Sequence, residues 1–169
     1  PQEHHKHWPS LRTYLLHRKK WLKATVETID ELSSEIVGLL DDPSGSTFAC
    51  RGLVVGYVQS GKTANMTAVI AKAVDAGYNM VFVLAGLTNK LRQQTQRRLE
   101  SDILDTNPTL WHRLTTSDIE GDFQLPPHGG FINIPDRAQL AVVKKNVAPL
   151  RRFLQTIKKT VPADLRHFR

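Results

Sequence analysis

The eight residues Gly56-Tyr57-Val58-Gln59-Ser60-Gly61-Lys62-Thr63 constrain this chain more than any other segment. Backbone N–H groups curl around an anion only where no side chain intrudes, and that is the use of glycines at Gly56 and Gly61. The flanks agree. Phe48 to Val55 is a short apolar, β-branched run that predicts a buried strand, and Lys62 to Ala76 predicts a helix closed by Gly77. A helix starting at Lys62 aims its positive end at the same anion. Lys62 supplies a point charge for β and γ phosphates, and the Thr63 hydroxyl is a hard oxygen ligand for Mg²⁺. The competing explanation is a chance glycine turn, which ordinary residue frequencies produce about once in two hundred chains of this length.

The rest of the chain repeats the strand-then-helix rhythm. Asn79 to Ala85 reads as a strand and Thr88 to Ile103 as a helix, with Leu91, Thr95, Leu99 and Ile103 on one face. Leu140 to Val143 then reads as a strand and Val147 to Lys159 as a helix that tolerates Pro149 in its first turn. Successive β-α units predict an α/β fold with a parallel sheet and crossover helices. Leu104 to Asp136 interrupts the rhythm with Pro108, Pro126, Pro127, Gly129, Gly130 and Pro135. It reads as an irregular excursion holding a short strand near Arg113 to Thr116. Ahead of the glycine motif, Val26, Ile29, Leu32, Ile36 and Leu39 or Leu40 recur at helical spacing from Trp21 to Leu40, and Asp41 to Ser46 ends that helix. The expected organisation is an N-terminal helical segment and linker over 1–46 and a nucleotide-binding domain over 47–169.

Several of these motifs together resemble a known family. The glycine motif, Ala76-Gly77-Tyr78 and the run Val83-Leu84-Ala85-Gly86-Leu87-Thr88-Asn89-Lys90-Leu91-Arg92-Gln93-Gln94-Thr95 resemble the N-terminal motor half of superfamily 2 helicases. With Leu140-Ala141-Val142-Val143-Lys144-Lys145-Asn146 and Leu150, the stretch from about 50 to 160 looks like the Z1-domain family, helicase-type ATPases or endonucleases of prokaryotic restriction and phage-defence systems. The resemblance implies a P-loop NTPase (RecA-like) sheet binding ATP and Mg²⁺ through Gln59, Ser60, Gly61, Lys62 and Thr63. It also implies DNA as partner, with Thr88, Asn89 and Arg92 as candidate strand contacts and Lys144 and Lys145 at the end of the third strand. Each has a plainer competitor: Asn89 is a favoured helix cap, and Lys144 and Lys145 suit a solvated edge.

One departure from the family matters. Helicase-type hydrolysis uses an aspartate that positions Mg²⁺ and a glutamate that orients water, both after a further hydrophobic strand. No glutamate here follows a buried strand, and Pro135 interrupts the approach to Asp136. The sheet is therefore expected to be incomplete, truncated before that strand, and the chain to bind ATP while hydrolysing it poorly.

Composition narrows the partners. Lys plus Arg at 23 against Asp plus Glu at 16 leaves +7, which favours an anionic partner such as nucleic acid. Six bases and no acid lie between Lys6 and Lys23, whereas Ala24 to Cys50 holds six acids and no base. Arg151, Arg152, Lys158, Lys159, Arg166 and Arg169 form a second basic stretch. The lone Cys50 excludes an internal disulfide and suggests a reducing, cytoplasmic setting, and no apolar run reaches the ~18 residues of a membrane span. His4, His5, His7 and His17 lack a completing carboxylate or thiolate, so a solvated terminus is favoured over a metal site. Trp8, Trp21 and Trp111 are read as packing residues. Two other classes remain: a small P-loop phosphotransferase, disfavoured because Arg113 and Arg137 are the only arginines available to a lid, and a non-catalytic DNA- or partner-binding module.

Overall fold

The computed structural model describes residues 6–45, 50–55, 61–127, 130–131 and 134–160. The chain divides between Tyr78 and Asn79 into two compact units. The expected boundary at 46/47 differs from this division, and packing explains why. The helix that follows the glycine motif buries a stripe of small residues against the N-terminal helices.

The first unit comprises α1 (His7–His17), α2 (Lys23–Gly38) and α3 (Lys62–Asp75). Leu11 and Leu15 of α1 and Val26 and Ile29 of α2 meet Ala64, Ala68 and Ala71 of α3 in one cluster. Alanine on α3 lets α1 and α2 approach closely, and each large aliphatic side chain buried this way contributes about 1.5–3 kcal/mol. Helix α2 forms where its periodicity predicts, but its buried face is Val26, Ile29 and Ser33, while Leu32 and Leu39 are exposed. Ser33 enters the core because its hydroxyl donates to the Ile29 carbonyl at 2.6 Å, so no polar group is stranded. At the other end of α3, Gly77 adopts φ +112, and the N–H groups of Gly77 and Tyr78 donate to Val74 and Ala73. This is the glycine-terminated helix end that the sequence predicts.

The strand expected over Phe48 to Val55 is absent from its described part. Residues 50–55 have no regular secondary structure, and Leu53, Val54 and Val55 are exposed. A strand exists only where a neighbour takes its N–H and C=O groups. Among the described residues nothing pairs with this run, so its composition alone does not order it.

The second unit is a mixed α/β arrangement around a three-stranded parallel sheet of β1 (Met80–Ala85), β2 (Trp111–Arg113) and β3 (Ala138–Lys144), in the order β1-β3-β2. Met80 to Ala85 pair in register with Gln139 to Lys144, and Trp111 to Arg113 pair with Ala138 to Leu140. Central β3 is buried from Ala138 to Val143, as a parallel strand covered on both faces must be. The short strand lies slightly earlier than the predicted 113–116. Residues 114–137 carry the chain from β2 to β3, a crossover without a helix among the described residues.

Helices α4 (Asn89–Leu99) and α5 (Val147–Lys159) pack on β3. Phe82, Phe123, Phe131 and Phe153 form a knot of rings with centroids 4.1 to 6.1 Å apart, seated on Ala141 and Val143. Phe123 and Phe131 come from the excursion, so that segment completes the core rather than looping away from it. The buried face of α4 agrees with the expected one at Leu99, as Ile103 beyond it does, and departs from it in the first two turns. It is Arg92, Gln96 and Leu99, while Leu91 is exposed. A π-helical turn over Glu100–Leu104, closed by Asp105 N–H to Glu100 O at 2.8 Å, then brings Asp102, Ile103 and Leu104 inside.

Candidate functional site

In the first unit, Gly61 stands at the entry of α3 in the left-handed conformation, φ +78 and ψ 12. Among the described residues a Cβ at Gly61 would meet nothing within 4 Å, and the left-handed φ is what favours glycine there. The first helical bond runs from Asn65 N–H to Gly61 O at 3.0 Å. Helices leave their first N–H groups without intrahelical acceptors, which concentrates positive potential at this end. No acidic residue occupies the first turn to counter it. Lys62 is exposed and Thr63 half-buried. A left-handed glycine, an exposed ammonium and a nearby hydroxyl fit a nucleotide's phosphates and their Mg²⁺. Gly56, Gln59 and Ser60, the other candidates, lie outside the described residues.

The far end of α3 is tied to the N-terminal segment. The Asp75 carboxylate accepts from the backbone N–H groups of Lys6, His7 and Trp8 at 2.9, 2.9 and 2.8 Å, and so caps α1 from another helix. Lys72 pairs with Asp30 of α2, and its ammonium lies 4.6 Å from the centre of the Trp8 ring. Burial holds His7 below the usual imidazole value; Asp75 opposes that shift and Lys6 adds to it. His7 and His17 stand at opposite ends of α1, and His4 and His5 lie outside the described residues.

In the second unit, the carboxyl ends of β1 and β3 lie side by side, with Ala85 opposite Lys144. Each strand turns directly into a helix, so two helix N-termini meet at the strand ends, the ordinary place for ligands in open α/β sheets. Gly86 is required here, because a Cβ would fall 2.5 Å from the Leu91 side chain. Thr88 is the cap of α4 and accepts from Leu91 N–H at 3.3 Å. Asn89 therefore does not cap, and its Oδ1 accepts from Lys144 Nζ at 2.6 Å. Three of the five expected nucleic-acid residues, Thr88, Asn89 and Lys144, thus converge, with Lys145 exposed beside them.

Arg92 does not join them. It is fully buried, and its guanidinium donates to the carbonyls of Thr116 (2.8 Å), Gly121 (3.3 Å) and Asp118 (2.6 Å). Thr116 N–H closes the same loop on Gly121 O at 2.9 Å, and a Cβ at Gly121 would lie 2.5 Å from Thr116 O. Next to it, Gln96 exchanges bonds with Thr115, whose hydroxyl also accepts from Val142 N–H at 2.8 Å. Arg92 is a loop organiser, and its cation is not presented to an external phosphate.

Asp122 is not legible in the sequence as a site residue, and Arg152 reads there only as part of a basic stretch. They line a pocket of about 220 Å³ with Asn89, Lys144 and Asn146. One Asp122 oxygen accepts from Phe123 N–H (2.8 Å) and Lys144 N–H (3.3 Å), and the other is buried with no hydrogen-bond partner among the described residues. The signal that could have found this site was the length of the excursion from which Asp122 comes. Arg113, weighed for a kinase-type lid, instead pairs with Asp105 at 2.5 Å. Among the described helices none is long and apolar enough to cross a membrane. Compared with family models, curated proteins and solved structures, the chain matches none.

Proposed function

We propose that this chain binds ATP with Mg²⁺ at the N-terminal end of α3 and forms the nucleotide-binding part of a helicase-like, nucleic-acid-dependent ATPase of the restriction or phage-defence kind. The observation that carries the reading is Gly61. A G-x-x-x-x-G-K-T sequence whose final glycine is left-handed and opens a helix directly into Lys-Thr supports a phosphate-binding reading of that helix end. Lys62 would hold the β and γ phosphates and Thr63 would ligate the metal ion, which supplies charge neutralisation when bound. Thr88, Asn89 and Lys144, gathered at the strand ends, offer hydroxyl, amide and ammonium to a nucleic-acid backbone.

Binding is proposed without efficient turnover. The described strands β1, β2 and β3 run into Gly86-Leu87, Leu114-Thr115 and Lys145-Asn146, none of which offers the acidic pair that positions metal and water. Calorimetric titration of the chain with ATP and Mg²⁺ tests the reading. Lys62→Ala is expected to weaken binding about ten-fold or more, the loss of a charge-assisted contact. Equal affinity of the two proteins for ATP, or robust hydrolysis that Lys62→Ala abolishes, refutes the corresponding half of the proposal.

A further inference from the structure

The first unit holds a pocket of about 650 Å³, within the range of small-molecule sites, whose walls come from the α1–α2 connection, from α2 and from the first turn of α3. Its floor reaches Gly61, Ala64 and Asn65, the residues around which the positive end of α3 opens. Ala64 is small and leaves the space unfilled. Lys20 bends the chain with φ +56, and Trp21 N–H donates back to Leu15 O at 3.0 Å, which sets the half-buried indole on the pocket wall. Leu22, 76% exposed, and Leu32, 47% exposed, also line it. Apolar side chains left uncovered inside a concavity mark a binding surface more strongly than the same residues scattered on a convex one. The Thr25 hydroxyl and the Asn65 amide add hydrogen-bonding groups at the same wall.

We infer that this pocket takes the nucleobase and ribose of the nucleotide, with Trp21 as the stacking platform and Asn65 and Thr25 facing polar edges. The inference rests on the reading of α3 as the phosphate-binding helix. Phosphates at Gly61 and Lys62 leave the nucleoside one sugar-length away, and the adjoining concavity is apolar, aromatic and of fitting size. The N-terminal helices are then half of the nucleotide site and not an appendage to it. Specificity for a nucleoside over bare phosphate resides in α2 and the connection that leads into it.

Comparing ATP with inorganic tripolyphosphate separates the two halves. Both are titrated with Mg²⁺ into the unmodified chain and into Trp21→Ala, Thr25→Trp and Lys62→Ala, with circular dichroism confirming the fold. Thr25 is exposed, so a tryptophan there fills the pocket without entering the core. Trp21→Ala and Thr25→Trp are each expected to weaken ATP about ten-fold, the scale of one base–aromatic stack, and to leave tripolyphosphate unchanged. Should Trp21→Ala unfold the chain, Thr25→Trp decides alone. Undiminished ATP affinity in a folded Thr25→Trp protein overturns the inference while leaving the phosphate reading intact. A Lys62→Ala protein that keeps both ligands overturns the phosphate reading instead, and no binding of either ligand to the unmodified chain sinks both.

Discussion

Helices α3 and α4 each begin within a few residues of a glycine, and Lys62 of α3 and Arg92 of α4 meet opposite fates. Helix α3 turns Ala64, Ala68 and Ala71 inward and leaves Lys62 at the surface. Helix α4 turns Arg92 and Gln96 inward and covers them with a loop. Arg92, drawn inside, orders its own chain, whereas Lys62 stays exposed. The sequence shows the same charge in both cases. What decides is whether enough carbonyl oxygens close over the cation to replace water.

The widest gap between the two helices is expected from Arg92→Ala. It removes the only donor to Thr116 O among the described residues and one of two donors to Asp118 O and Gly121 O, and it opens a cavity; a buried carbonyl left unpaired costs about 1–3 kcal/mol, and the cavity adds to that. Urea unfolding should show the loss. Arg92→Lys should recover little, since a point ammonium cannot span carbonyls that a planar fork reaches together. A loss near that of an ordinary surface substitution would mean that residues 116–121 hold their shape without the arginine.

The α3 side of the contrast is probed by Ala68→Leu. Ala68 is fully buried where α1 and α2 close on α3, so three added carbons have no free volume. Overpacking of this sort costs about 1–3 kcal/mol and should lower the melting temperature. A neutral result would show that the three helices are loosely packed and that alanine is not what sets their spacing.

This contrast also explains what was legible. Six segments could be read from periodicity and punctuation: α2, α3, β1, α4, β3 and α5 lie close to where their patterns put them. Gly77 and Pro149 mark ends and starts for reasons local to the backbone, so they read correctly. The buried face of α4 did not, because hydropathy ranks Leu91 above Arg92 and takes no account of the carbonyls of Thr116, Asp118 and Gly121, more than twenty residues away. The run up to Val55 failed in the opposite direction: its composition is that of a strand, but composition supplies no partner for its backbone. At the start of α3, Gly61, Lys62 and Thr63 could be put forward from the sequence because the chemistry proposed for them needs them adjacent. Asp122 could not, since its proximity to Lys144 is created by the fold of the excursion.

The tie between α1 and α3 should respond to acid. Burial lowers the folded value of His7 beneath its unfolded one near 6.5, so above that pH both states are neutral and the group contributes nothing to the pH dependence. As pH falls below the unfolded value, the unfolded chain takes up the proton first and stability declines until the lower folded value is passed. Replacing the imidazole, as in His7→Gln, should therefore flatten the fall in melting temperature between pH 7.5 and pH 5. An unchanged slope would place the acid sensitivity elsewhere.

The smallest structural effect is expected from Lys144→Ala, and that smallness is informative. Lys144 contributes one exposed bond to Asn89, with solvent competing for both groups, so stability should change by about 1 kcal/mol or less. If Lys144 is the outward counterpart of Arg92, the loss should appear in binding instead. Single-stranded DNA affinity, followed by fluorescence anisotropy across salt concentrations, should fall uniformly across sequences, with the salt slope reduced by about one. A large loss of stability with unaltered DNA binding would erase the distinction, because Lys144 would then be a cation that serves the fold just as Arg92 does.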